Sequence, residues 1–370
     1  MEIRVFNNWN ASLREKYLSF WGQKLDSTFY APVDKATLSG AATTDDAATN
    51  DALAVANEPD SYWSWFKTEI LDSVFVDSSA SFWAIDGSPE DPKPVACLVA
   101  ASAPNDDALD GADATLCAPL FAAGVADDDK VSAAQMLIEA SENALRTKGF
   151  RRVYAGGAPP RTDVEGYAPV GAPLLNGVYG AGSPVGFFDD DPARKFFIDA
   201  GYAPEPGVGG ARAFVERKID ANSFFGNADE LPTGCRLARE PWQAQTWRRS
   251  AIERNFLNAR RFCVRWLDSS LLAVAWVYDV IRREPKTGEL VVKTVVSRLS
   301  TRPAYRGRGL GTALVAALVE DASTQALKMS PNASLEICVV VPDGDAVAGG
   351  FWDAQGFEVG RRSTPLVKTL

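Results

Sequence analysis

The chain has 370 residues, no histidine and a formal net charge of −10, from 48 acidic and 38 basic residues. Lacking histidine, it has no histidine general base, no serine-histidine or cysteine-histidine nucleophile system and no histidine metal ligand, while its acidic balance repels nucleic acid and anionic membrane surfaces. The five cysteines (Cys97, Cys117, Cys235, Cys263, Cys338) are too scattered for a disulfide framework or a zinc cluster, so no metal is expected, and no apolar run reaches the roughly eighteen residues of a membrane span.

The length favours two packed units, and "MEIRVFNNWN" lacks the basic region and apolar core of an export signal, so cytoplasm is the expected compartment. Residues 2–6 ("EIRVF") alternate as a short strand, and residues 11–25 place Leu13, Tyr17, Leu18 and Trp21 on one side of a helix. The alanine-rich, polar stretch 39–60 reads as loop or weak helix. Strands are expected at 81–86, 94–101 and 115–122, then a helix over "SAAQMLIEASENALRTKGF" closed by Gly149, then a strand in "RRVYAGGA". Gly and Pro break residues 156–191 into a long surface loop. Asp191 as N-cap and Pro192 as first helical residue open "ARKFFIDAGY", which Gly201 ends, and the strand "ARAFVERKI" closes the first half.

The second half begins with a helix, "PWQAQTWRRSAIERNFL", followed by strands near 262–268 and 271–281. The strand "ELVVKTVVSRLST" then feeds a glycine turn, a helix from Gly311, the strand "SLEICVVV" and a short helix in "DAVAGGFWDAQGFEV". That last segment overlays "DDPARKFFIDAGYAP", with Ala348 on Ala193, Phe351 on Phe196, Trp352 on Phe197, Gly356 on Gly201 and Phe357 on Tyr202. The chain therefore reads as a duplication, 1–220 and 221–370, of α+β (α/β) class with a mixed sheet in each half. Trp63, Trp65, Trp242, Trp247 and Trp276 read as core.

The turn "RPAYRGRGLGTALV" joins a strand to a helix, an arrangement that presents free backbone N–H groups and the positive end of a helix dipole to an anion. Spacing excludes two phosphate loops. The ATP loop needs Lys and Ser/Thr after its last glycine, where this chain has Thr312 and Ala313; the dinucleotide fingerprint needs a glycine where Thr312 stands. Arg306, Gly309 and Gly311 instead fit Arg/Gln-x-x-Gly-x-Gly/Ala, and "RLSTRPAYRGRGLGTALVAALVE" resembles the acyl-coenzyme A motif of the GNAT acetyltransferases, with Thr301 replacing the usual Val. Ala348, Phe351, Gly356 and Phe357 resemble that family's second motif.

The resemblance implies a tandem GNAT protein whose halves each form a mixed, mostly antiparallel sheet flanked by helices. It implies that acetyl-CoA or another acyl-CoA is the co-substrate, its pyrophosphate on the amides of Arg306, Gly307, Arg308, Gly309, Leu310, Gly311 and Thr312 and its pantetheine arm along Leu299, Ser300 and Thr301. Arg306 or Arg308 is a candidate for the ribose phosphate. The acceptor is then an amine on a small molecule or peptide; neither nucleic acid nor membrane is an expected partner. Aligned from the later strands, "ADDDKVSAAQML" sets Asp128 on Arg306, Val131 on Gly309 and Ala133 on Gly311, which leaves the first half without a phosphate site.

For chemistry, the amide near Leu299 is the oxyanion donor that the resemblance implies. Trp352 stands where the family commonly has a Tyr acid, Asp345 where an Asn often touches the coenzyme, and Val295 where histone-type members carry a Glu base. Asp279 and Glu336 interrupt apolar strands and are the two base candidates, acting directly or through water. Acyl transfer to an amine is the leading expectation, and an acyl-CoA-binding or sensing module the alternative.

Overall fold

The structure, a computed structural model, describes residues 1–6, 16–17, 19–20, 77–88, 91–102, 113–156, 187–207, 210–211, 213–220, 224, 231–241, 257–283 and 289–370. Outside them lie most of the helix expected over 11–25, the stretch 39–60, the loop 157–186, the helix over 242–256, and Trp63, Trp65, Trp242 and Trp247.

The first half contains β1 (Glu2–Val5), β2 (Phe82–Ser88), β3 (Asp91–Leu98), β4 (Ala100–Ser102), β5 (Asp113–Leu116), β6 (Leu120–Phe121), α1 (Asp127–Thr147), β7 (Arg152–Ala155) and α2 (Ala193–Asp199). The short strands β8 (Ala203–Pro204), β9 (Pro206–Gly207) and β10 (Gly210–Ala211) follow, and then β11 (Phe214–Asp220). The second half contains β12 (Cys235–Pro241), β13 (Leu257–Trp266), β14 (Leu271–Arg283), β15 (Leu290–Thr301), α3 (Leu310–Met329), β16 (Ser334–Pro342), α4 (Ala346–Ala354), β17 (Glu358–Ser363) and β18 (Leu366–Thr369).

Both expected sheet systems form, and the class is α+β. The second half carries a seven-stranded sheet, β12-β13-β14-β15-β16-β11-β17, parallel only between β15 and β16. The first half carries β1-β2-β3-β6 and β4-β5-β7-β18-β8, parallel only between β5 and β7. In each half one long helix closes the core. On α3 the stripe Leu310, Leu314, Leu318 and Ala322 packs on Phe262, Val264, Ala275, Val277, Val296 and Ile337; each large apolar side chain so buried is worth about 1.5–3 kcal/mol. On α1, Ala133, Leu137, Ile138 and Leu145 meet Ala84, Leu98, Leu116 and Val153 in the same way.

The duplication is visible in backbone detail. Gly201 and Gly356 both follow a helix in the left-handed region (φ 88° and 82°), which L side chains enter at a cost. Just beyond them, Tyr202 N–H donates to Phe197 O and Phe357 N–H to Trp352 O, each at 3.0 Å, and both aromatic pairs sit edge to face. Helix bounds depart from expectation in two places. Pro192, not Asp191, flanks α2, although the Asp191 carboxylate still accepts from Ala193 N–H at 2.9 Å. The helix α1 also begins at Asp127 rather than Ser132, because three aspartates at a helix start complement its dipole.

The strand β11, expected to close the first half's own core, lies between β16 and β17 of the second half's sheet, and β18 lies between β7 and β8 of the first half's sheet. Each half thus completes the other.

A buried ion network ties α3 to its sheet. Arg260 Nη1 meets Asp279 Oδ2 at 3.1 Å, Arg260 Nε meets Asp321 of α3, and Arg239 Nε meets Asp321 Oδ1 at 2.9 Å. Arg260→Met removes the guanidinium that Asp279 and Asp321 share, and urea titration is expected to show a loss of about 3–5 kcal/mol.

Candidate active site

The site begins where two parallel strands part. β15 and β16 pair from Val291 with Ser334 up to Val296 with Val339, and no further. At that point β15 takes up one extra residue against β14, since Val296 faces Val277 but Arg298 faces Trp276; such a bulge bends the strand that carries it. Beyond it β15 continues on β14 as far as Thr301 opposite Ala273, while β16 continues on β11, with Val340 opposite Glu216 and Pro342 opposite Phe214. A gap opens between them. Arg302 N–H donates to Leu272 O of β14 at 2.9 Å, so alternation along the strand turns the N–H and C=O groups of Leu299 and Thr301 toward that gap.

At the mouth of the gap stands the glycine turn. Pro303–Tyr305 form a single 3-10 turn, Gly307 and Gly309 take left-handed backbone (φ 72° and 78°), and Gly309 is the N-cap of α3. The first N–H to donate back into the helix is that of Ala313, to Gly309 O at 3.0 Å. Among the described residues, the N–H groups of residues 307–312 donate to no backbone carbonyl, which makes the turn a concavity of donors at a positive helix end. Arg306 and Arg308 are exposed on its rim; Arg306 Nε donates to Thr301 O at 3.3 Å and the Arg308 guanidinium lies 5.3 Å from the Tyr305 ring centre. α4 backs the turn. A Cβ on Gly311 would sit 3.0 Å from the Phe351 ring, and Gln355 Nε2 donates to Thr312 Oγ1 at 3.3 Å.

Residues 228–357 match the family model described as Acetyltransferase (GNAT) family. Over these residues the chain is similar to the GNAT superfamily. Among solved structures it is similar to a tandem GNAT protein from the clavulanic acid biosynthesis pathway, at 14% identity over 78% of this chain and 82% of that one, with a TM-score of 0.51. It is similar too to a glucosamine N-acetyltransferase region of a fungal multi-domain beta-N-acetylglucosaminidase, at 12% identity over 99% of this chain and 38% of that one, with a TM-score of 0.52. At these identities the likeness is one of fold. No curated protein sequence matches the chain.

Within this GNAT fold, Leu299, Ser300, Thr301 and residues 306–312 come together around the gap, and the two carboxylates singled out from sequence do not join them. Asp279 lies opposite Thr294, below the point of parting, with no side-chain exposure; it accepts from Thr294 Oγ1 at 2.7 Å and pairs with Arg260. Glu336 lies beside Lys293 at the closed end of the parallel pair, where Lys293 Nζ meets it at 2.9 Å and Lys218 Nζ at 3.8 Å. Asp345 caps α4, accepting from Val347 and Ala348 N–H at 3.1 and 2.9 Å. Trp352 is 3% exposed and packs on Phe351 and Phe357. Burial pushes the Cys338 thiol up to about 12, which keeps it a small neutral core residue.

Sequence reasoning missed Lys293 and Glu216. Lys293 is buried between Glu336 and Glu216, whose Oε1 accepts from Nζ at 2.7 Å. The only local signal was the polar interruption in "VVKTVV" and in "AFVERKI". Burial opposes the Lys293 charge, but Cys338 and the two glutamates outweigh it and push the ammonium up to about 12. Since this lies above the ordinary 10.5, the contribution of the pair is complete below that value and is lost as pH rises through about 12.

In the first half the turn keeps one left-handed glycine and loses its chemistry, its N-cap Ala126 being extended (φ −64°) where Gly309 is left-handed (φ 78°). Gly124 has the φ of Gly307 (76° against 72°), and Ala126 is the N-cap where the second half has Gly309. This corrects the alignment of Val131 with Gly309. Asp127, Asp128 and Asp129, rather than Val131 to Ala133, occupy the first helical turn, where they repel an anion. The slot is closed as well. β5 and β7 stay paired through Leu116 and Ala155, Gly156 N–H donates to Leu116 O at 2.6 Å, and Phe187, 1% exposed, lies so close that a Cβ on Gly156 would be 2.9 Å from its ring.

Gly311→Val is expected to drive Phe351 off the turn and lower stability by about 1–3 kcal/mol, read from chemical denaturation. pH titration of the unaltered chain should show the Lys293 contribution vanishing only above pH 10.5.

Proposed function

We propose that this chain is a cytoplasmic N-acyltransferase that moves an acyl group from acetyl-CoA, or another acyl-CoA, to an amine on a small molecule or the N-terminus of a peptide. Its units are 1–220 and 221–370, and the reaction takes place in the second. The observation that carries this reading is the gap between β15 and β16, faced by the N–H and C=O groups of Leu299 and Thr301, of which the Thr301 C=O also accepts from Arg306, and opening onto the amides of residues 307–312, which donate to no backbone carbonyl among the described residues. An extended pantetheine arm adds to the exposed edge of β15 as a further strand would. The pyrophosphate takes the turn amides, with Arg306 and Arg308 supplying charge at its rim.

In the reaction the amine attacks the thioester carbonyl, the Leu299 N–H receives the developing oxyanion, and the thiolate leaves. Of the two carboxylates, Glu336 is the one we retain as base, acting from the closed end of the parallel pair through a relay of water, because its side chain keeps 27% exposure whereas that of Asp279 has none. Positioning and oxyanion stabilisation supply the larger part of the rate.

A second reading, acyl-CoA binding without transfer, is favoured by Trp352, which is buried where the family commonly places its Tyr acid. Thiol release from acetyl-CoA across an amine panel, with binding followed by calorimetry, separates the two. Turnover on any amine supports the enzyme, binding alone supports the sensor, and no binding defeats both. Gly309→Val is expected to weaken acetyl-CoA binding more than about 100-fold, whereas Arg306→Ala and Arg308→Ala weaken it about tenfold each and flatten its salt dependence.

A further inference from the structure

Each half donates its last strand to the other, and each donated strand carries one charged residue into a buried ion pair. From β11, Glu216 (3% exposed) pairs with Lys293 of β15 at 2.7 Å, reaching across β16. From β18, Lys368 pairs with Glu142 of α1 (5% exposed) at 2.7 Å and donates to Ala200 O at 2.8 Å. The two pairs are mirror images in sense, acid to base in one and base to acid in the other. They differ in location, since only the first joins β15 to the strand that holds β16 where the two part.

β16 is held on one side only once β15 has left it. Its residues Val340, Val341 and Pro342 stand opposite Glu216, Val215 and Phe214, and Asp343 N–H donates to Ala213 O at 2.9 Å. Among the described residues, the outer wall of the gap is therefore fixed by a strand of the half that has lost its own phosphate turn. A strand end with one free edge is easily displaced unless its other edge and a side-chain contact hold it.

We propose that the first half is a working part of the second half's acyl-CoA slot: β11 holds the diverging end of β16, and the Glu216 to Lys293 contact fixes how far β16 stands from β15. Glu216 is then a positioning residue supplied by the half without a site. The ligand in this inference rests on the proposed function; the mechanics rest on strand pairing alone.

The test uses the full-length chain and compares Glu216→Ala, Glu216→Gln and Lys368→Ala, by amide hydrogen exchange without ligand and by calorimetric titration with acetyl-CoA. Glu216→Ala is expected to speed exchange at Val341 and Asp343, whose N–H groups point to β11, and to raise the acetyl-CoA Kd, each about tenfold. Glu216→Gln keeps an oxygen that accepts from Lys293 and should restore both to within about threefold of the unaltered chain. Lys368→Ala should speed exchange only around residues 366–369 and leave the Kd unchanged. Slow exchange at Val341 and Asp343 in Glu216→Ala overturns the inference, as does an equal loss of acetyl-CoA affinity in Lys368→Ala. In the unaltered chain these two amides should exchange as slowly as that of Ile337, and fast exchange there overturns the inference without any variant. If acetyl-CoA binds to none of the proteins, the functional reading fails and the exchange data alone decide this one.

Discussion

Two paired strands cannot separate within a sheet without abandoning a row of backbone hydrogen-bonding groups, and groups abandoned in a protein interior are costly. In this chain β15 and β16 separate after Val296 and Val339, and each survives because another strand holds its far edge: β14 for the first, β11 for the second. The groups left over face a gap. That single geometric fact is why a strand-like ligand is proposed there and why the bulge sits at the parting. It also gives the glycine turn its place, since the helix that packs over β15 has to begin where the gap opens.

The chemistry of the turn follows from backbone conformation more than from side chains. Gly307 and Gly309 take left-handed angles that leave the following amides pointing outward, and Gly311 stays bare because Phe351 occupies the space of a Cβ. The first half shows that one left-handed glycine is not enough. Gly124 repeats the angle of Gly307, yet Asp127 to Asp129 fill the helix entry and Phe187 closes the slot. The two halves have diverged by replacing an anion's partners with anions and an opening with an aromatic ring.

How much of this was legible in the sequence depends on how local the determinant is. The glycine turn, the helices closed by Gly149 and Gly201 and the aromatic pairs at Tyr202 and Phe357 are set by residues within a few positions of one another, and all could be read. Asp279 looked like a base because it interrupts an apolar strand; its partners Arg260 and Thr294 come from two other elements, and no local pattern reveals them. The exchange of β11 and β18 was equally invisible, since "AFVERKI" reads the same whichever sheet it joins. The misplaced register of the first turn arose from aligning backward from later strands, when Gly124 was the anchor that mattered.

In the proposed function the amides of one turn, in one half only, hold the coenzyme. Backbone amide resonances recorded while coenzyme A is added test it most directly. Large shifts are expected at Gly307, Gly309, Gly311 and Thr312, with Gly124 and Asp127 to Asp129 unmoved. Shifts of equal size in both turns, or shifts confined to the first, would contradict it.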